Sequence, residues 1–144
     1  MLVHQILTSK GTAGVLSLKP AAPVKEAVAI LSEKRIGTMV ISEDGSTPTG
    51  ILSERDIVRE IGRRGAGCLD EPCSTMMTAD PVTCTPQDSA DKVLEMMTEG
   101  RFRHLPVMDG GAMVGLISIG DVVKARLSEL SMEKDALQGM IMGH

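Results

Sequence analysis

Apolar residues recur at helical spacing twice along the chain, at Val24, Ala27, Val28 and Leu31 and again at Ala90, Val93, Leu94 and Met97. Each predicted helix leads into a short β-rich run, 38–41 or 104–107. An acidic-glycine turn follows, Asp44-Gly45 or Asp109-Gly110, and then a second apolar run, 50–52 or 113–117. Both stretches end by entering a helix, over 54–64 and 119–130, and a short strand candidate precedes each first helix, at 15–18 and 82–84. Thr85-Pro86-Gln87-Asp88 reads as the cap of the second copy's first helix, with proline at the first helical position. Displaced by 66 positions, residues 21–41 lie over 87–107, so the chain reads as a duplication of one strand–helix–strand–strand–helix unit.

A half of about 60 residues buries too little surface to stand alone, so two halves are expected to pack together. The predicted fold class is α/β (α+β): tandem βαββα repeats packed sheet to sheet with pseudo-twofold symmetry, plus a C-terminal helix. The expected boundaries are 1–64 for the first repeat, 65–81 for a Gly- and Pro-punctuated linker, 82–130 for the second repeat and 131–144 for the helix. Clefts between such halves are places where ligands bind.

Within the repeat one heptapeptide stands out. Residues 50–56 read GILSERD and residues 115–121 read GLISIGD, 65 positions later. Ser-x-x-Asp is a capping-box variant, in which Ser53 or Ser118 caps backbone N–H groups and Asp56 or Asp121 sits in the first turn, where the helix dipole favours it. Capping does not call for Gly50 and Gly115 at matching positions, nor for duplication of the whole module. A serine delivered by a strand to an open helix N-terminus also suits a phosphate, and an aspartate one turn in can accept hydrogen bonds from two vicinal ribose hydroxyls. Capping and binding are compatible.

Composition narrows the function. The net charge of −4 argues against a broad nucleic-acid footprint, and Phe102, the single aromatic residue, leaves no platform for stacking bases. Eleven methionines fill the volume that aromatics would otherwise take. Three cysteines, an odd number, and an N-terminus without a secretory pattern fit reduced thiols in a cytoplasmic protein. No apolar run approaches the roughly 18 residues of a membrane span.

The duplicated heptapeptide, the preceding RIGTMVISEDG and RFRHLPVMDGG, and the segment MMTADPVTCTP together resemble the cystathionine-β-synthase (CBS) domain pair, or Bateman module, over roughly residues 3–130. The resemblance implies two inter-repeat clefts for adenosine-containing ligands such as AMP, ADP, ATP, NAD(H) or S-adenosylmethionine, with AMP or ATP foremost, as regulatory ligands rather than obligatory cofactors. It implies that Asp56 and Asp121 hold ribose hydroxyls and that Ser53 and Ser118 lie near ribose and phosphate. Arg103 and His104 match positions whose basic side chains face phosphates. The first copy has Gly37 and Thr38 there, a less basic pair for which Arg55 could compensate. Lys10, in a Lys-Gly turn, is a further phosphate candidate. The adenine is expected between side chains and backbone near Val15, Val40, Val82 and Val107. Arg59, Arg63 and Arg64 read instead as a solvated helix end favouring the dipole.

No phosphate loop, dinucleotide fingerprint, zinc-protease motif or nucleophile elbow is present in the sequence. Cys68 and Cys73 have no second pair, and His4 and His144 are terminal, so no zinc site is expected. The expectation is a non-enzymatic, stand-alone sensor that signals to an unknown regulated protein. The alternatives are a structural dimerisation module with empty clefts and a small nucleotide-processing enzyme. Beyond the second heptapeptide, Val123, Leu127, Leu130, Lys134, Leu137 and Ile141 follow 4-3-4-3-4 spacing. That is a heptad seam for a homodimer, or a face that folds back on its own domain.

Overall fold

The computed structural model describes residues 1–11 and 14–142, which fall into two units. One comprises Gly14–Val82 with Met108–Val114; the other comprises Met1–Ala13, Thr83–Val107 and Gly115–His144.

In the first of these, β1 (Ser17–Leu18) pairs parallel to β2 (Thr38–Ile41) across the helix α2 (Val24–Lys34). β2 then pairs antiparallel with β3 (Gly50–Ser53), Thr38 standing opposite Ser53 and Ile41 opposite Gly50. β2 is buried along its whole length, as a central strand should be. Val24, Ala27 and Leu31 of α2 are buried with Met39, Ile41 and Leu52 in a single cluster, which also receives Ile57 from α3 (Glu54–Arg64). The βαββα order expected for the first copy is therefore present.

The 65–81 segment is not a spacer. Its two 3-10 turns (Ala66–Asp70 and Cys73–Thr75) put Cys68, Cys73 and Met76 into that same core, and β4 (Thr78–Ala79) adds a fourth strand beside β3. Its glycines and prolines punctuate turns, while its apolar residues recur every three to five positions, enough to seat it. This arrangement favours glycine at position 50, since a larger residue would have to displace the Met77 side chain. A Cβ there would lie 2.4 Å from Met77 Sδ and 3.0 Å from the Thr78 carbonyl oxygen.

The other unit begins with an element the hydrophobic pattern did not yield, α1 (Val3–Lys10). Val3 and Ile6 are buried with Cys84, Val93, Met97, Leu105, Ile117 and Val122, all from the second copy. Backbone bonds fasten the segment there: the Val3 N–H donates to the Asp88 carbonyl at 2.9 Å and the His4 N–H to Pro86 at 3.0 Å. Residues 1–64 thus do not form one body, because the first turns of the chain pack with the second copy. α4 (Ala90–Gly100), β5 (His104–Asp109), β6 (Ala112–Ser118) and α5 (Ile119–Ile141) complete the unit, except that the tip of the β5–β6 hairpin, Met108–Val114, belongs to the other. The strand expected at 82–84 reduces to one parallel bridge, Cys84 to Val107.

Two further expectations are corrected. Ser89 caps α4, its hydroxyl accepting the Lys92 N–H at 3.1 Å, while 85–88 form a turn closed by Asp88 onto the Thr85 N–H. Ser89 lies directly before the first buried position, Ala90, and so wins the capping role. The 131–144 segment is not a separate helix but the continuation of α5: no proline lies in 119–141, and its two glycines, Gly120 and Gly139, sit in the first and last turns. Gly143 and His144 lie outside the described residues. Among the described residues no helix is long and apolar enough to cross a membrane.

Candidate functional site

Both heptapeptides do the same thing locally. β6 ends in Ser118, whose hydroxyl accepts the Asp121 N–H at 3.1 Å while Asp121 Oδ2 accepts the Ser118 N–H at 2.9 Å. β3 ends in Ser53, and the reciprocal bonds to Asp56 measure 3.2 and 3.0 Å. A third bond is also duplicated. The Ile119 N–H donates to the Arg103 carbonyl at 2.8 Å, and the Glu54 N–H to the Gly37 carbonyl at 2.9 Å.

These bonds revise one expectation. The first and third N–H groups of α3 and of α5 are taken by their own chain, so each helix N-terminus has less to offer a phosphate than an uncapped one. An anion at either place relies chiefly on side chains.

The side chains differ between the copies. Asp121 Oδ2 also receives Lys10 Nζ at 2.8 Å, and the same ammonium donates to the Leu116 carbonyl at 3.0 Å. Lys10 arrives because α1 is docked: it follows Val3, Ile6 and Leu7 at helical spacing, and Leu7 packs onto Gly115. A Cβ at Gly115 would lie 2.8 Å from Leu7, so here the glycine makes room for α1. Burial works to raise the Asp121 carboxyl, but Lys10 and the Ser118 N–H outweigh it and hold the pKa below the ordinary 3.8. His104 opens β5, half-buried, and Arg103 before it is exposed. Burial pushes the His104 imidazole below 6.5 against the pull of Asp121, and the Lys10 and Arg103 charges add to the downward push. At neutral pH the cluster therefore carries Asp121 negative, Lys10 and Arg103 positive and His104 neutral, one positive charge net.

That depression has a measurable sign. The unfolded chain takes up the His104 proton first as pH falls, so stability declines as pH drops below 6.5 and through the lower folded value. Replacing His104 with Gln is expected to flatten that part of the pH profile of urea midpoints. An unchanged slope would refute the assignment.

At the other copy, Asp56 Oδ2 receives the Ser53 hydroxyl at 2.9 Å as well as its N–H, and Oδ1 receives Arg59 at 2.9 Å. Arg59 is exposed, as expected, but it lies mid-helix rather than at the end and pairs with Asp56, three residues back on one helix face. Arg63 and Arg64 do behave as end charges, paired with Glu60 and, for Arg64, Glu71. Arg55 lies beside Arg59 in an open depression on α3 that Glu54 and Val58 also line. Thr38 is buried beside Ser53. Of the four valines expected against an adenine, Val40 and Val107 are fully buried and have no side-chain surface to give. Val15 is half-buried and Val82 exposed. Among the described residues no group of three or more His, Cys, Asp or Glu side chains is placed to hold a metal.

The repeated architecture finds its counterpart in known proteins. The CBS domain model matches residues 6–63 and again 73–128. The chain belongs to the CBS domain family. The mitochondrial CBS domain-containing protein CBSX3 of Arabidopsis thaliana is 32% identical over 124 residues, covering 83% of this chain and 60% of that protein. The chain thus spans less than two thirds of that relative's length. A CBS-domain containing protein of Agrobacterium tumefaciens, solved by crystallography, superposes with a TM-score of 0.81 at 39% identity, over 88% of this chain and 99% of that one. A CBS domain protein of Pyrobaculum aerophilum, solved in complex with AMP, gives a TM-score of 0.76 at 28% identity, over 92% and 99% of the two chains. The family model reaches back only to residue 6, yet the CBS repeat that carries Asp121 has Val3 in its core.

Proposed function

We propose that this chain is a non-enzymatic regulatory module that binds an adenine nucleotide, AMP or ATP foremost, with Asp121 as the acceptor for the ribose hydroxyls. The observation that carries this reading is the Ser118–Asp121 capping box with Lys10, Arg103 and His104 gathered around it, a carboxylate set among more positive than negative charge. The AMP complex of the Pyrobaculum protein supports it. Ser118 lies beside the ribose in this reading, and Arg103, His104 and Lys10 face the phosphate. Asp56, with Ser53, Thr38 and Arg55, forms a weaker second position, because both of its oxygens are engaged, Oδ1 by Arg59 and Oδ2 by Ser53, whereas Lys10 and the Ser118 N–H share Oδ2 of Asp121. The module reports the cell's adenylate energy state to a regulated protein in the cytoplasm.

Calorimetric titration with AMP, ATP, NADH and S-adenosylmethionine tests the reading. Binding of AMP or ATP without turnover is expected. No binding by any of the four would leave a structural module, and conversion of a ligand would make it an enzyme.

The exposed face of α5 supports self-association. Leu127 is 63% exposed, Leu130 49%, Leu137 59% and Ile141 84%, on the heptad seam predicted from the sequence, so this face does not fold back onto its own unit. Light scattering is expected to give the mass of a dimer, and truncation after Ser131 that of a monomer. A monomeric full-length chain would contradict the seam.

A further inference from the structure

The ammonium of Lys10 already engages the carboxylate to which the reading above gives the ribose hydroxyls. It lies 2.8 Å from Asp121 Oδ2 and 3.0 Å from the Leu116 carbonyl, and its side chain is 30% exposed. Its backbone is fixed, since Val3 and Ile6 anchor α1 in the core and Gly11 ends the helix in the left-handed conformation at φ 64°. Among the described residues its head is held only by those two bonds, and it is partly exposed. A lysine carries a compact charge on a four-carbon stem, so the ammonium can leave Asp121 while α1 stays in place.

We propose that Lys10 makes this site select phosphate-bearing adenosines over the neutral nucleoside, by holding Asp121 when no anion is present and moving to the phosphate when one is. The proposal rests on the nucleotide reading above. A neutral ribose must compete with the ammonium for Asp121 and offers the displaced charge nothing in return. A phosphate gives the ammonium a new anionic partner, so carboxylate and ammonium exchange one partner each and neither charge is left unpaired. Side chains do most of this work because two of the first three N–H groups of α5 are already engaged, Ile119 with Arg103 and Asp121 with Ser118. A cationic adenosyl compound would add positive charge to a cluster that already carries an excess of it.

The test is calorimetric titration of the full chain with AMP and with adenosine, for the wild type and for Lys10→Met. The wild type is expected to bind AMP at least about 30-fold more tightly than adenosine, the scale of one strong charge-assisted contact. In Lys10→Met the ratio is expected to fall below about 5-fold, because AMP binds more weakly and adenosine about 3-fold or more tightly as Asp121 is released. The gain for adenosine is the decisive readout. A lysine that only touched phosphate would leave adenosine unchanged, and one that only propped up the fold would weaken both ligands alike; either result overturns the proposal. Lys10→Gln answers the same question if the methionine variant does not fold, and Lys10→Arg is expected to keep the wild-type ratio. If the wild type binds neither AMP nor adenosine, the nucleotide reading itself fails, an outcome distinct from an unchanged ratio.

Discussion

Asp121→Ala is expected to weaken AMP binding by roughly 1.5–3 kcal/mol, the scale for losing hydrogen bonds to a charged group. The same substitution removes the acceptor of the Ser118 N–H and the partner of Lys10, and so costs about 1 kcal/mol of stability as a lost cap. The two effects separate in Asp121→Asn, where the amide oxygen can still accept the Ser118 N–H but the charge is gone. That variant is expected to keep most of the stability and lose most of the binding. Calorimetry and urea denaturation on the pair check it. Unchanged AMP affinity with lowered stability would make Asp121 a cap and nothing more. Asp56→Ala is expected to have the smaller effect on binding, because Arg59 and Ser53 engage both oxygens of that carboxylate, whereas the partners of Asp121 share Oδ2.

The second large effect concerns α1. Ile6 is 3% exposed in a cluster made otherwise from Val3 and residues of the second copy. Ile6→Ala is expected to cost about 2–5 kcal/mol, the range for truncating a buried aliphatic side chain, a large share of the 5–15 kcal/mol that holds a typical domain together. Hydrogen exchange locates the loss. Protection is expected to fall at Val93, Leu105 and Ile117 while Met39 and Ile41 hold theirs. Faster exchange at Met39 and Ile41 alone would place α1 with the wrong unit. The same variant should also loosen Lys10, since α1 delivers that residue to Asp121.

The repeat was legible because its period is long and its elements short and strongly patterned. Val24, Ala27 and Leu31, and likewise Ala90, Val93 and Met97, lie at the expected spacing and are buried as a helix face should be. The capping boxes were legible too, since serine and aspartate three apart can satisfy each other's N–H groups at a helix start, although Thr85 and Asp88 at the same spacing close only a turn. What escaped was tertiary. Val3, Ile6, Leu7 and Lys10 carry the i, i+3, i+4, i+7 signature of an amphipathic helix within eight residues, but a stretch that short is ambiguous, and its partner lies some 80 residues away in the second copy. Without α1 the link from Lys10 to Asp121 has no geometric basis, and the lysine reads only as a turn residue. The 65–81 segment escaped for a related reason. Its glycines and prolines signal turns, and nothing local says that Cys68, Cys73 and Met76 between them enter a core. Arg59 was legible in principle, as an arginine three residues after Asp56 on one helix, a spacing at which opposite charges meet. Val40 and Val107 mark the opposite limit. A central strand buries both faces, and the alternation of residues along it does not reveal which valine keeps any surface for a ligand.

The most direct measurement is an amide chemical-shift titration of the full chain with AMP. The resonances of Arg103, His104 and Ser118 to Val122 are expected to move first and saturate, with those of Ser53 to Ile57 following at higher concentration. Movement at Ser53 to Ile57 first, or no movement at Ser118 to Val122 at saturating AMP, would contradict binding at Asp121.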